Sequence, residues 1–403
     1  MSHKKEFIKN IFSFGSIDIL GLLIPIITMP ILTRALGSEQ YGVYMLFITI
    51  TYFGYTIIDY GTQYTAVRTL AKNRENQREV EYIFKETQGL RLFLYLVYSI
   101  IVLIYYIVFS NYSSNYILAF ATLVYLLGYV LTPVWFYQGI GSVDSIMKIS
   151  IISKLINLGV ILFIVKSPAD MYLVIVSLCV PMLFGGIFLS TLAYKRFHVG
   201  TPNFYFLKQS LYNGKDVFLG LLAPNLYNAI PTILLGTIYP PAEFANFAIA
   251  SRLASVIVTI QNVIAKAAYP IIAIIKKNQV NRLLFLNFFI SIIPIILIYT
   301  MGNWMLTFFL GPDFEDVSQY LFILCIGIVF IGLSNAISQG YFLPNGHDRL
   351  YRDISLKVSL ISGLIVMTLI YFYGLLGGAI AITLARFLFF VYFMEIYLRL
   401  KNK

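Results

Sequence analysis

Along the 403 residues the apolar positions gather into runs long enough to cross a bilayer, separated by short polar connections. A helix needs about 20 apolar residues to span a hydrocarbon core of about 30 Å. Runs of that kind fall at 11–33, 42–68, 88–110, 115–138, 148–166, 171–194, 216–239, 243–266, 283–303, 317–341, 353–373 and 375–398. The pattern predicts an all-α polytopic membrane protein with twelve transmembrane helices. One run differs from the rest. In 243–266, which reads EFANFAIASRLASVIVTIQNVIAK, the residues Arg252, Ser255, Thr259, Asn262 and Lys266 interrupt the apolar character. At 100° per residue they share an arc of about 80°. Arg252 lies about 14 Å into the run at 1.5 Å per residue, close to the bilayer midplane. A guanidinium there is costly unless it faces a wet cavity or a partner. This stripe is therefore the first candidate lining of a substrate path.

The connections orient the chain. Lys4, Lys5 and Lys9 precede the first run; Lys72, Arg74, Arg78 and Lys85 follow the second; Lys148 follows the fourth. Lys195, Arg196, Lys208 and Lys215 follow the sixth, and Lys276, Lys277 and Arg282 the eighth. Arg349 and Arg352 follow the tenth, and Arg399, Lys401 and Lys403 the last. The alternate set of connections offers only Arg34 and Lys166, and one of them, GPDFEDVSQ, is acidic. Basic residues collect on the cytoplasmic side, so both termini are expected in the cytoplasm. The outward connections are too short for an external folded domain. The longest inward one, near 195–215, is basic and aromatic and reads as a linker lying on an anionic leaflet. It divides the chain into 1–205 and 206–403, six runs each.

The halves echo one another. At an offset of 203, Gln40–Tyr44 falls on Glu243–Phe247, and Tyr52, Thr56, Asp59 and Gln63 fall on Ser255, Thr259, Asn262 and Lys266. WFYQGI at 135–140 and AISQGY at 336–341 share a Gln-Gly. A parallel pseudo-repeat of two six-helix lobes would bring the polar faces of the second and eighth runs to a site between the halves. Asp18, Lys154 and Arg386 are further ions inside apolar runs, each either lining that path or paired within the bundle.

Composition narrows the class. At 59% hydrophobic and 12% charged, the chain is not that of a soluble protein. The net charge of +11 is spread over short connections, which excludes a nucleic-acid footprint. Cys179 and Cys325 sit in apolar runs and read as core residues. His3, His198 and His347 lack metal-ligand spacing, and no glycine-rich phosphate loop or nucleophile-base-acid set is present. No metal, cofactor or catalysis is expected. Coupling, if any, would be to a cation, a proton or the membrane potential. A basic interior without catalytic groups points to carriage of an anion.

The run PILTRALGSEQYGVYMLF followed by DYGTQYTAVRTLAKN resembles the opening of Wzx-type polysaccharide flippases, through Leu36-Gly37, Tyr41-Gly42, Asp59-Tyr60-Gly61 and Arg68. WFYQGIGSVDSIMKIS is similar to their W-x-x-Q-G segment, and NFAIASRLASV to their eighth helix. The resemblance implies a member of the multidrug/oligosaccharidyl-lipid/polysaccharide (MOP) exporter superfamily with a MATE-like fold. It would move an undecaprenyl-pyrophosphate-linked repeat unit, of O-antigen or capsule, across the bacterial inner membrane. Its partners would be that lipid-linked oligosaccharide, membrane lipids and other polysaccharide-assembly proteins. The alternatives are a multidrug or lipid II exporter of the same superfamily, and a membrane polymerase or ligase. The short outward connections leave little room for the last, and Arg252 argues against a carrier of cations.

Overall fold

The computed structural model describes residues 3–109, 115–275, 280–342, 345 and 347–401, with no side chains described in 1–20, 22, 110–115, 262–279, 339 and 348. The described residues are helical and contain no strand. The helices are α1 (His3–Asp59), α2 (Thr62–Asn73), α3 (Gln77–Ile104), α4 (Asn115–Leu131), α5 (Val134–Ile140), α6 (Asp144–Phe163) and α7 (Met171–Phe197). They continue with α8 (Leu207–Leu222), α9 (Ala229–Ile238), α10 (Pro241–Ile275), α11 (Val280–Leu310), α12 (Val317–Ile337) and α13 (Asp348–Lys401).

Among the described residues nine helices are long and apolar enough to cross a membrane, or ten if the broken pair α8 and α9 forms one span. The difference from the expected twelve has a local cause. Two of the nine, Leu23–Asn73 and Arg349–Lys401, run for 51 and 53 residues, well beyond the length one crossing needs. Each is broken by a glycine with non-helical backbone well inside it, Gly37 (φ 69°, ψ 173°) and Gly374 (φ 59°, ψ −133°), and the first breaks again at Tyr60 and Gly61. Only glycine tolerates such angles at little cost, so the sequence punctuates two apolar stretches without a polar loop.

The chain forms two compact units. The first comprises Met1–Leu36 and Leu46–Leu222, the second Gly37–Met45 and Ala223–Lys403. The sequence pattern put the division at 205/206. The change of unit falls instead inside the seventh run, after α8, where Pro224 lacks a backbone N–H and Asn228 donates its side-chain amide to the Pro224 carbonyl at 2.9 Å.

In the first unit the basic linker docks on α3, where Asn203 N donates to Lys85 O at 3.0 Å, while Tyr205 and Tyr212 remain exposed. The W-x-x-Q-G segment is packing: Trp135, Phe136 and Tyr137 are fully buried in a cluster with Leu70, Phe84 and Leu189. Tyr137 Oη donates to Leu189 O at 2.6 Å. The two Gln-Gly pairs differ locally, since Gln138-Gly139 ends α5 before a left-handed Gly141, whereas Gly340 lies in the π-turn Ser338–Phe342.

In the second unit the segment Gly37–Met45 is anchored by Tyr41, whose buried ring meets Phe314 edge-on at 6.2 Å. A Cβ on Gly42 would come within 2.0 Å of the Pro241 carbonyl oxygen. The glycine pair of the L-G-x-x-x-Y-G motif thus has two jobs, a break at Gly37 and a close approach at Gly42. Gly42→Ala should destabilise the protein by about 1–3 kcal/mol through overpacking. Gly159→Ala, where the added methyl meets nothing within 4 Å in α6, should stabilise by about 0.5–1 kcal/mol. Thermal unfolding of the purified protein in detergent checks both, and equal midpoints would refute the close-approach account.

Candidate substrate-binding site

Of the α10 stripe, the side chains of Arg252, Ser255 and Thr259 are described. Arg252 is half-buried and lies within electrostatic reach of the Tyr41 phenol in the same unit. Ser255 Oγ donates to Arg252 O at 2.7 Å, and Thr259 Oγ1 donates to Ser255 O at 2.8 Å. Both hydroxyls spend their protons on their own helix, which lowers the cost of keeping them in an apolar setting and leaves lone pairs facing outward. The side chains of Asn262 and Lys266 lie outside the described residues, as does that of Asp18.

A second polar face of α10 is directed inward. Gln261 is fully buried, and its amide donates to Ser291 Oγ at 2.7 Å on α11 and to Ile328 O at 3.4 Å on α12. This residue fixes the rotation of α10 about its axis, and so fixes where the Arg252 stripe points. Its period relative to Arg252 puts it on the far side of the helix, where a search for one polar arc passes over it.

In the first unit the counterparts are divided. Tyr52 is exposed and stacks on Tyr55 at 5.4 Å between ring centroids, and Tyr55 stacks on Tyr129 at 3.9 Å. Thr56 and Gln63 are half-buried. Asp59 is buried just before α2, where its carboxylate accepts from Thr62 Oγ1 at 3.0 Å. The Asp-Tyr-Gly run is a sharp break: Tyr60 (φ 48°) and Gly61 (φ 80°) are both left-handed. The strained Tyr60 is held by a ring stack on Phe218 at 4.3 Å and by donation from its hydroxyl to Leu211 O at 3.2 Å.

The cation that faces Asp59 is Arg91, in the same unit. Sequence reading passed over it because it stands only a few residues inside the third run, next to the basic connection. Arg91 is 0% exposed. Its guanidinium donates to Gln88 Oε1 and to Tyr129 O, both at 3.2 Å, and lies 5.0 Å from the Tyr129 ring centroid. Gln88 also accepts from Trp135 Nε1 at 3.2 Å and donates to Val130 O at 3.0 Å. One buried cation thereby ties α3, α4 and the start of α5 together.

Lys154 and Arg386 take different places. The Lys154 ammonium lies against Gly21, where a Cβ would meet it at 3.2 Å. Arg386 is buried in α13, donates to Leu324 O at 3.4 Å, and interacts electrostatically with Tyr227 and Cys325. Among the described residues no carboxylate pairs with it. No group of three or more metal-ligating side chains occurs among the described residues.

The apolar helices, one of them carrying a basic, hydroxyl-bearing stripe, are those of a multi-pass membrane protein. Solved neighbours share its fold. A lipid II flippase, MurJ, in an inward closed conformation is 14% identical with a TM-score of 0.74, over 95% of this chain and 87% of that one. An inward-facing multidrug resistance MATE family transporter of the MOP superfamily is 15% identical with a TM-score of 0.68, over 95% and 96%. The chain belongs to the family of polysaccharide biosynthesis proteins, whose model matches residues 7–276. Two relatives, each named "Putative O-antigen transporter", are similar along nearly their whole length. That of Escherichia coli (strain K12) is 22% identical over 94% of both chains, and that of Shigella dysenteriae is 23% identical over 96% of this chain and 99% of its own.

Proposed function

We propose that the protein is a flippase that carries an undecaprenyl-pyrophosphate-linked oligosaccharide repeat unit, of O-antigen or capsule, from the cytoplasmic to the periplasmic leaflet by alternating access. The bacterial inner membrane is its site, with both termini in the cytoplasm. The observation that carries the reading is Arg252, a half-buried cation in an apolar helix beside hydroxyls already satisfied by their own backbone. The relatives' names and the Lys/Arg bias of the connections support it. A pyrophosphate needs a cation and donors, whereas its lipid tail can stay in the bilayer. For roughly two negative charges, a potential negative inside favours outward movement by about 2.3 kcal/mol per charge per 100 mV, or roughly 4–5 kcal/mol at 100 mV.

Deletion of the gene tests the reading. Surface polysaccharide should be lost and the lipid-linked repeat unit should accumulate on the cytoplasmic leaflet, both reversed by the intact gene. Unchanged surface polysaccharide would refute it. The orientation is read in the complemented strain. A cysteine at Glu75 should resist an impermeant thiol reagent in intact spheroplasts and one at Asp313 should react, and the reverse labelling would invert the topology.

A further inference from the structure

A cavity of about 190 Å³ lies wholly within the first unit. It has room for about six waters at ~30 Å³ each, or for a single sugar ring. Thr62, Thr65 and Thr69 line it from α2, one per turn on a single face, with Ala66 as a small residue between them. Glu86 and Thr87 enter from α3, Ser210 and Asn213 from α8. The ring of Tyr60, set by the left-handed break, forms part of the wall with Ile83 and Leu90. Gly214 of α8 lies against that ring, where a Cβ would come within 2.8 Å of it.

The direction of the hydrogen bonds defines what would fit. Thr62 donates to Asp59, Thr65 to Gly61 O at 3.1 Å, Thr69 to Thr65 O at 3.0 Å, and Ser210 to Glu86 Oε1. These four hydroxyl protons are already committed, so their oxygens present acceptor lone pairs, together with the remaining capacity of the Glu86 carboxylate, while the Thr87 hydroxyl and the Asn213 amide add donors. The other walls are an aromatic ring and aliphatic carbons. A ligand matched to this surface donates several hydrogen bonds from its edges and offers C–H faces to a ring. Carbohydrates have that character. A lone inorganic cation would leave the apolar walls unused, and a phosphate would meet acceptors and a carboxylate.

We propose that this cavity is a sugar-binding subsite that holds one monosaccharide of the transported repeat unit. The proposal rests on the flippase reading for the source of the sugar, and it adds a point of recognition besides the one that Arg252 would give the pyrophosphate. It also predicts that the protein discriminates among repeat units by a sugar, not by the lipid carrier alone.

The test uses the full chain purified in detergent and the phosphate-free oligosaccharide repeat unit prepared from the host's own surface polysaccharide. Binding is read by calorimetry, export by surface polysaccharide in a deletion strain. Ala66→Leu fills the cavity, and Thr69→Val, at an exposed position, removes an acceptor at constant shape. Ala66→Leu should weaken oligosaccharide binding at least tenfold and lower export, and Thr69→Val should weaken binding several-fold with wild-type protein levels. No binding to the intact protein, or unchanged binding by both variants, would overturn the subsite. If Ala66→Leu does not accumulate, Thr69→Val decides alone. The two readings fail separately. Normal polysaccharide in the deletion strain removes the flippase, whereas the binding assay judges the cavity without reference to export.

Discussion

Arg252→Ala should abolish surface polysaccharide while the protein remains folded and at its normal level in the membrane. Arg252 is half-buried, and the hydroxyls that follow it on α10 donate to backbone carbonyls rather than to its side chain, so its removal leaves those bonds in place. What is lost is the cation for the proposed pyrophosphate. Two charge-assisted hydrogen bonds at about 1.5–3 kcal/mol each correspond to a loss on the order of 10²–10⁴-fold in affinity. Arg252→Lys should restore part of the export, because it keeps the charge and loses the planar fork. Silver-stained or antibody-probed polysaccharide at native expression is the measurement. Normal export by Arg252→Ala would reduce Arg252 to a structural residue.

The largest expected effect on stability is at Arg91. Arg91→Met takes charged donors from Gln88 Oε1 and Tyr129 O, both inside the first unit, and removes the cation that faces Asp59. Both acceptors keep another donor, Trp135 Nε1 and Thr132 N, but each lost hydrogen bond from a charged donor costs about 1.5–3 kcal/mol. We therefore expect a loss of at least about 2 kcal/mol, seen as a lower thermal midpoint and less protein in the membrane. Asp59→Asn in the Arg91→Met background should recover part of the loss, since it removes a buried charge left without its countercharge. If the double variant is no more stable than the single one, the electrostatic link between the two residues contributes nothing.

How much of this could be read beforehand follows from the physics of each signal. The apolar runs were legible because a bilayer sets a length that sequence windows measure directly. The α10 stripe was legible because a helical period turns spacing into a face. Asp59 was visible as an intramembrane acid, but its bond to Thr62 spans two left-handed residues, Tyr60 and Gly61, and local dihedrals are not written in hydropathy. Arg91 and Gln261 were missed for a related reason. A buried polar residue that anchors a helix is recognised by the carbonyls and amides it reaches on other helices, and those are tertiary facts.

The segment Gly37–Met45 belongs to the second unit although the residues on either side of it belong to the first. For a chain made from one end, this sets an order of events. Tyr41 leaves the ribosome about 270 residues before Phe314, its ring partner, a delay of roughly 15–55 s at 5–20 residues per second. During that interval the nascent first half holds a piece of the other unit with its final partners not yet made. A messenger cut, a stalled ribosome or a fragment ending at the change of unit after Leu222 would therefore release a half-protein with one unsatisfied segment. A fragment starting at Ala223 would lack the same segment. The two halves are structural units, yet neither is a heritable module that a single crossover could exchange intact.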